Sequence, residues 1–428
     1  MEEFLHYIWQ HRLWSPQPVC QTEQGDELEI IEGGLPNTNA GPDFFNAKVK
    51  IGGTVWVGNV EIHSVASDWY RHGHHLDPKY DNVVLHVVEH ADVQVTRRTD
   101  GTPIPQFILT YREETHERFR TLCEHTKSKP CLAVLPAIPR LKVHSWLSAL
   151  QIERLEQKTE QINRWLEMCE KDWKRAFFVS LARSLGMSIN SDVMERWALK
   201  IPLGALAKHR DNLLQVEALF LGQAGFLPED QAEDEDETIK LYLREYLFLK
   251  HKFSLPAPVE ETQWNMLRLH PSNFPQVRVA QLATLYHKHS DDFFSLMLEA
   301  RNEKDVAGLL DVSLSPFWKR HYNLRQLSAR SCDKHIGPTA RRIIIINTLV
   351  PFMYTYGKHI SNSALVSNAI KFMEQIPPED NRILRAWRAC GLVAQHAGDS
   401  QSLIQLERNY CERKDCLRCR FGFEYLRK

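Results

Sequence analysis

The hydrophobic pattern of the chain changes at about residue 112, and this change limits what the protein can fold into. Before it, apolar and polar residues alternate in short segments bounded by Gly, Pro and Asn, which is typical of strands and turns. After it, apolar residues recur at helical spacing, with opposite charges four residues apart. We therefore predict an α+β protein, with an α/β sandwich in residues 1–130 and a large all-α region in residues 131–428.

The amino-terminal region is predicted to have the order helix, three strands, a helix or loop, then more strands. The strands share alternation and flanking turn residues and cover residues 27–32, 46–53, 54–63 and 82–90, and residues 93–111 are predicted to form a hairpin around Asp100-Gly101. Gly52-Gly53 is the kind of pair that closes a tight hairpin between two of them. The strand at 82–90 is apolar on both faces except at His86, which indicates a central position in the sheet.

Three further stretches depart from these patterns. Residues 126–141 contain three prolines and are predicted to link the two regions. Seven acidic residues fall within positions 229–237, which predicts a solvated acidic loop near 228–238. Residues 411–428 are predicted to be a cysteine-rich carboxyl-terminal tail.

The composition argues against several classes of protein. Lys and Arg (53) balance Asp and Glu (54), so a protein that coats nucleic acid by general positive charge is not indicated. The chain has no run of about 18 apolar residues, and its acidic start is unlike a signal peptide, so we expect no membrane partner. Nine cysteines do not suggest a disulfide framework, and we predict a cytoplasmic protein.

Asp43, Glu61 and His63 form the main candidate catalytic site. Glu61 and His63 lie two residues apart on one predicted strand and therefore share a face, and the hairpin brings Asp43 beside them. Two adjacent carboxylates repel each other unless a cation lies between them. Mg²⁺ or Mn²⁺ suits such a pair with waters and a phosphate, so Asp43 and Glu61 are predicted metal ligands for phosphodiester hydrolysis.

The same residues carry a resemblance to a known family. Pro42-Asp43, followed eighteen residues later by Glu61-x-His63, resembles the core motif of the PD-(D/E)xK nucleases. The resemblance covers about residues 1–110 and implies a restriction-endonuclease-like fold with the order helix, three strands, helix, strand. It also implies that Asp43 and Glu61 hold the catalytic metal.

The sequence departs from this motif at His63, which stands where the family has a lysine. A neutral imidazole can orient water or bind a metal, but it does not supply the permanent charge of lysine. Lys48, or Lys50 on the same face of the neighbouring strand, is the candidate to supply that charge.

A polar segment at residues 67–82 follows the Glu61 strand and is rich in histidine. Its side chains are predicted to form a rim around the metal and to bind the phosphate backbone of a substrate: Asp68, His72, His74 and Asp77. His72-x-His74 with Asp77 also resembles the HxHxDH motif of metallo-β-lactamase-like hydrolases, although the spacing differs and no histidine follows the aspartate. His86 is predicted to be a core histidine rather than a ligand.

The carboxyl-terminal cysteines form a second candidate site. Cys411, Cys416 and Cys419 have a spacing that suits a metal bound by thiolates, with Cys390 as the predicted fourth ligand. Other candidates for the fourth ligand are His396, Cys332 and His335. Zinc and an iron–sulfur cluster both fit this spacing, and some nucleases with the amino-terminal motif carry such a cluster on cysteines that flank the catalytic domain.

Six segments spread over the chain resemble an uncharacterised bacterial domain-of-unknown-function family, numbered 2851. They are GPDF, GNVEIH, SDWYRHGHHLD, LHPSNFPQVRVAQLA, INTLVPFMYTYGK and the terminal CxxxxCxxC. This resemblance implies no established activity. Within the fourth segment, Arg278 is a candidate substrate-binding residue.

Two functions follow from these observations. The first is a metal-dependent nuclease or phosphodiesterase that acts on nucleic acid, for which the paired carboxylates argue. The second is a catalytically inactive nuclease-like fold that serves as a binding scaffold for nucleic acid or protein, for which the missing lysine and the neutral net charge argue.

Overall fold

The protein is described by a computed structural model. The residues that it describes are 1–14, 20–37, 39–124, 129–227, 236–267, 269–289 and 292–428. They form two compact units, the first comprising residues 1–143 and 407–428 and the second comprising residues 144–406. The coarse prediction of a mixed α+β protein with a large helical region is confirmed.

The first unit is built on one six-stranded mixed sheet. Its strands are β1 (Leu28–Glu32), β2 (Leu35–Pro36), β3 (Phe44–Ile51), β4 (Thr54–Val65), β5 (Val83–His90) and β6 (Gln106–Ile108). The order across the sheet is β1-β3-β4-β5-β6, and β2 pairs with β3. The pairs β1–β3 and β3–β4 are antiparallel, whereas β4–β5 and β5–β6 are parallel. Gly52 and Gly53 close the β3–β4 hairpin with positive φ angles of 55° and 87°.

The two faces of this sheet have different neighbours. Helix α1 (Glu2–His11) packs its apolar side on one face, where Phe4 and Ile8 join a core that includes Val60 and Ile62 of β4. Alternation along β4 therefore directs Glu61 and His63 to the opposite face. That face has a smaller apolar core around Trp69, which lies in helix α2 (Asp68–Arg71).

The predicted linker belongs to the packed structure of the first unit where it is described. Residues 125–128 lie outside the described residues, but Pro130–Ala133 and Leu135–Ala137 form short 3-10 helices. Cys131, Val134, Leu135 and Ile138 are buried. Helix α3 (Glu113–Glu124) and helix α19 (Arg420–Arg427) pack against the first of these 3-10 helices. The prolines thus begin helical turns rather than a linker.

The second unit is helical throughout its described regular elements. Its helices begin with α4 (Arg140–Met168), whose first residues precede the boundary, and continue as α5 (Trp173–Leu185), α6 (Ser191–Leu199), α7 (Leu203–Leu206), α8 (Leu213–Gln223), α9 (Glu237–Lys252), α10 (Pro275–His289), α11 (Phe293–Glu299), α12 (Glu303–Leu309), α13 (Pro316–Lys319), α14 (Pro338–Ile344), α15 (Val350–His359), α16 (Ser363–Gln375), α17 (Arg382–Ala389) and α18 (Ala397–Gln405). A π-helical turn, Ile345–Leu349, joins α14 to α15, and another, Leu406–Cys411, follows α18. Of the predicted acidic loop, residues 228–235 lie outside the described residues, while Asp236 caps α9.

A glycine ends helix α8 at a point of close approach. Gly225 has a positive φ of 76°, and a Cβ atom there would lie 2.0 Å from the carbonyl oxygen of Val259. Both the backbone conformation and the contact exclude other residues. Helix α8 ends at Gln223 and is capped by Ala224, so Gly225 is the first residue beyond the cap.

The second unit contains a buried acid, Glu217, that should make the stability of the protein depend on pH. Glu217 is 1% exposed and accepts hydrogen bonds from the hydroxyls of Tyr242 (2.6 Å) and Ser315 (3.1 Å). Burial raises the pKa of Glu217 from 4.5 to about 7. The folded state therefore keeps a proton that the unfolded state releases, and the free energy of unfolding should fall as the pH rises between these values.

We expect wild type to lose up to about 3 kcal/mol relative to the Glu217→Gln variant across this pH window, since each pH unit contributes about 1.4 kcal/mol. Urea titrations of both proteins between pH 4.5 and 7 measure the difference. Parallel pH profiles for the two proteins would show that Glu217 is ionised in the fold.

Candidate functional site

The β3–β4 hairpin places Asp43 directly opposite Glu61. Phe44, the first residue of β3, pairs with Val60 of β4. Asp43 precedes Phe44 and Glu61 follows Val60, so these two residues lie opposite each other. The backbone N–H of Asp43 donates to Glu61 Oε2 (3.1 Å), and the backbone N–H of Ile62 donates to Asp43 Oδ2 (2.9 Å). Each carboxylate is therefore held by the backbone of the other strand, which confirms that the hairpin brings the two acids together.

The parallel pairing of β4 with β5 adds a histidine behind the site. Glu61 is in register with His86, and the Nδ1 atom of His63 lies 2.8 Å from the Nε2 atom of His86. This contact leaves His63 Nε2 facing Glu61 Oε1 at 3.5 Å. The sequence predicted a core histidine at position 86, and His86 is fully buried.

Two more histidines approach from the segment that follows β4. His72 ends α2, and its Nδ1 atom lies 3.3 Å from His63 Nε2. His74 begins the 3-10 helix His74–Leu76, and its Nε2 atom lies 3.1 Å from Glu61 Oε1. The ring of Tyr80 stacks on His74 with centroids 3.9 Å apart, and this contact fixes the imidazole plane. We call Asp43, Glu61, His63, His72 and His74 the acid–histidine cluster.

The cluster has the local composition of a metal-binding site. Among the described residues, His63, His72 and His74 are the one group of three or more potential ligands whose ligand atoms all lie within 4.8 Å of one another. The three histidines differ in exposure to solvent: His63 is buried, His74 is partly buried and His72 is exposed. The cluster is therefore closed on the sheet side and reachable from solvent on the His72 side.

Burial and neighbouring charges shift the protonation of these groups. Burial, followed by the effects of His86, His74 and His72 in that order, lowers the pKa of His63 to about 2. The ring is consequently neutral at physiological pH and keeps a lone pair. Burial raises the pKa of Glu61, as does the charge of Asp43, while the hydrogen bond from His74 lowers it. A cation placed between these groups would relieve the repulsion of the two carboxylates.

One residue at this site, His6 of helix α1, was not predicted from the sequence. Its Nε2 atom lies 3.1 Å from Asp43 Oδ2. Burial lowers the pKa of His6, but the hydrogen bond and charge of Asp43 outweigh it, so the net shift is upward. A polar residue between the buried Leu5 and Tyr7 was the available signal, but helix periodicity alone does not indicate which strand lies opposite.

Other predicted site residues lie elsewhere. Lys48 pairs with Val57, four residues before Glu61, which is about 13 Å along a strand. Asp68 forms an ion pair with Arg71 (2.9 Å), and Asp77 accepts from the backbone N–H of Lys79 (2.9 Å). None of these contacts joins the acid–histidine cluster.

Arg278 is a buried residue of the second unit. Its guanidinium donates to Gln281 Oε1 (2.7 Å) and to Asn273 Oδ1 (2.6 Å), and burial lowers its pKa to about 10. These contacts connect the start of α10 to the turn before it, so the observed role of Arg278 is structural.

The carboxyl-terminal cysteines belong to the first unit, apart from one predicted member. Cys411 ends the π-helical turn after α18, Cys416 lies in the following loop, and Cys419 caps α19. Cys390 is an exposed residue at the end of α17, in the second unit. None of the nine cysteines, all of which lie within the described residues, forms a disulfide.

These features define a mixed α+β protein with a partly buried histidine–carboxylate cluster on one sheet face. The chain belongs to the family described as "Protein of unknown function (DUF2851)", whose model matches residues 2–382. The match includes the whole acid–histidine cluster and ends before Cys411. No curated protein and no solved structure matches the chain. In the described part of the chain, every helix is too short or too polar to cross a bilayer.

Proposed function

We propose that the protein is a metal-dependent hydrolase of phosphodiester bonds, with the metal held by Glu61, His63, His72 and His74. The supporting observation is a set of interatomic distances. A tetrahedral ion with bonds of about 2.0–2.1 Å separates its ligand atoms by about 3.3 Å. Glu61 Oε1 lies 3.1 Å from His74 Nε2 and 3.5 Å from His63 Nε2, which in turn lies 3.3 Å from His72 Nδ1. The ligand atoms of the three histidines all lie within 4.8 Å of one another, and Glu61 is outside that group, so an ion would draw Glu61 and His72 closer together.

The ligand types favour a first-row transition ion such as Zn²⁺ or Mn²⁺ over Mg²⁺. Three imidazole nitrogens and one carboxylate are the donors that such ions accept, whereas Mg²⁺ requires oxygen ligands in an octahedral arrangement. Of the two ions expected from the sequence, Mn²⁺ therefore remains a candidate for the amino-terminal site, and Zn²⁺ becomes a second candidate.

We assign separate roles in hydrolysis to the residues around the ion. A bound ion supplies the polarisation of the phosphoryl oxygen and the lowered pKa of a bound water. Asp43 is held beside Glu61 by the N–H of Ile62, and we assign it the role of accepting the proton from the attacking water. His72 is exposed at the open side, where a substrate phosphate would enter.

The order of elements also supports a nuclease. Apart from the two-residue strand β2 and two 3-10 helices, the elements from α1 to β5 follow the helix–strand–strand–strand–helix–strand order implied by the PD-(D/E)xK resemblance. With His63 in the lysine position and Lys48 distant, the positive charge at the scissile phosphate comes from the ion.

The experiment starts from protein freed of metal with a chelator and reloaded with Mn²⁺, Zn²⁺ or Mg²⁺. Each sample is incubated with single- and double-stranded DNA and RNA and with a small chromogenic phosphodiester. We expect cleavage with Mn²⁺ or Zn²⁺ and its loss in Asp43→Asn, which keeps the acceptor for the Ile62 N–H. Metal binding without cleavage of any substrate would contradict the hydrolase proposal. The alternative function, a binding scaffold for nucleic acid or protein, would then remain.

Removal of the His86 side chain should weaken metal binding without removing a ligand. His63 Nδ1 contacts His86 Nε2, and such contacts orient a metal-bound imidazole and fix its tautomer. We expect His86→Leu to lower Mn²⁺ affinity about 10–100-fold in a calorimetric titration. His90→Leu, at an exposed histidine of the same strand, is the matched control and should bind as wild type does. Equal affinity in both variants would contradict the orienting role.

A further inference from the structure

Cys131 and three cysteines of the carboxyl-terminal segment lie on neighbouring packed elements of the first unit. Cys131 lies in the 3-10 helix Pro130–Ala133, which packs against α19, and Cys419 caps the start of α19. Cys416 lies one turn before Cys419, whose N–H donates to the Cys416 carbonyl oxygen (3.2 Å). Cys411 precedes them at the end of the π-helical turn. We call these residues the thiol cluster.

The thiols of this cluster are close enough to influence one another. Burial, followed by the effects of Cys419 and Cys416, raises the pKa of Cys131 to about 12. Burial, followed by the effects of Cys419 and Cys123, raises the pKa of Cys416 to about 11. The pKa of Cys411 is raised by burial, with Cys419 and Cys131 among the groups that add to the shift and Lys129 opposing it. These shifts agree with the packing of the 3-10 helix that contains Cys131 against α19.

The thiol cluster lies in a buried and closely packed part of the first unit. Cys131 is 8% exposed and Cys419 is 6% exposed. A Cβ atom on Gly422 would lie 2.1 Å from the carbonyl oxygen of Cys416, so glycine permits the close approach of α19 to the cysteine loop. An ion pair between Lys129 and Glu407 joins the chain before Cys131 to the turn that ends at Cys411.

We propose that Cys131, Cys411, Cys416 and Cys419 bind an iron–sulfur cluster. Four thiolates are the complete ligand set of such a centre. The proposal replaces the fourth ligand expected from the sequence, Cys390, with Cys131, and it is independent of the hydrolase proposed above.

The spacing of the sulfurs favours a cluster over one zinc ion. Four thiolates around zinc at about 2.3 Å place their sulfurs about 3.8 Å apart. Within the described residues, no three of these four sulfurs lie within 4.8 Å of one another. An iron–sulfur cluster fits a wider site because its thiolates bind different iron atoms.

The first test is metal analysis of the full-length wild-type protein purified without oxygen. We expect iron and acid-labile sulfide in similar amounts, with visible absorption that bleaches on reduction with dithionite. Protein that lacks iron is incubated with ferrous ion and sulfide before it is analysed again. Bound zinc in place of iron, or no uptake of iron and sulfide, would overturn the proposal.

The second test identifies the ligands. Cys131→Ser should lose most of its iron, whereas Cys390→Ser and Cys332→Ser, at exposed thiols of the second unit, should keep it. Alkylation of the wild type provides a measurement that does not depend on a variant folding. The half-buried Cys411 and Cys416 should react only after the cluster is removed, while Cys332 and Cys390 react throughout. Iron retained by folded Cys131→Ser, or early alkylation of Cys411 and Cys416 in iron-loaded protein, would contradict the ligand assignment.

Discussion

Replacing Glu61 with glutamine is expected to lower metal-dependent phosphodiesterase activity at least about 100-fold. Loss of a residue that only orients a metal ligand costs about 10–100-fold, and Glu61 is placed as a direct ligand. Its Oε1 atom faces both His74 Nε2 and His63 Nε2, so the amide removes the single negative charge between two imidazoles. The measurement is the initial rate of phosphodiester cleavage at saturating Mn²⁺.

The same substitution should not weaken the fold. Glutamine keeps an oxygen that accepts the Asp43 N–H, and it removes the repulsion between the two acids that raises the pKa of Glu61. The unfolding midpoint of metal-free Glu61→Gln should therefore equal or exceed that of wild type. Glu29→Gln, at an exposed position of the same sheet, is the matched control and should retain full activity. Activity of Glu61→Gln within twofold of Glu29→Gln would contradict the role of Glu61.

The largest expected effect on stability is at Trp197 in the second unit. This side chain is fully buried, its ring packs between Phe178 and Phe220, and its Nε1 donates to the Phe220 carbonyl oxygen (3.1 Å). Trp197→Ala leaves a large cavity that rigid helices fill poorly. We expect the free energy of unfolding to fall by about 3–5 kcal/mol, measured by urea denaturation followed with far-ultraviolet circular dichroism.

Two further variants separate the causes of that loss. Trp197→Phe keeps most of the ring volume, and the Phe220 oxygen still accepts from the Ala224 N–H, so the loss should be smaller than in Trp197→Ala. Leu247→Ala, at an exposed apolar residue of α9, should change stability by no more than about 0.5 kcal/mol. A loss below about 1 kcal/mol for Trp197→Ala would show that the core can relax around this position.

The sequence was sufficient where the relevant interactions are local. The Gly52-Gly53 turn and the alternation in the flanking strands fixed the β3–β4 hairpin. That hairpin in turn predicted the proximity of Asp43 to Glu61 and the common face of Glu61 and His63. These features depend on side-chain period and turn chemistry, which a short segment contains.

Longer-range contacts could not be predicted in this way. His6 approaches Asp43 because α1 packs across the sheet, and the distance of Lys48 from Glu61 depends on strand register and on a bulge between Phe44 and Ala47. Hydrophobic periodicity gives a face to each element but does not give its neighbours.

The carboxyl-terminal segment illustrates the same limit on a larger scale. Its sequence pattern is helical, so it was assigned to the helical region, yet residues 407–428 belong to the compact unit of the sheet. Cys131 is not among the ligands predicted from the sequence, because almost the whole second unit separates it from Cys411 in sequence. A contact between residues so distant in sequence leaves no trace in local spacing.

The central claim, that the acid–histidine cluster binds a metal, is tested most directly by diffraction from crystals soaked in Mn²⁺ and measured for anomalous scattering. We predict one strong anomalous peak that marks a Mn²⁺ ion about 2.0–2.3 Å from Glu61 Oε1, His63 Nε2 and His74 Nε2. His72 is expected to be the fourth protein ligand of this ion. The peak should vanish in Glu61→Gln crystals treated in the same way. Saturating Mn²⁺ with no peak among these side chains would contradict the account.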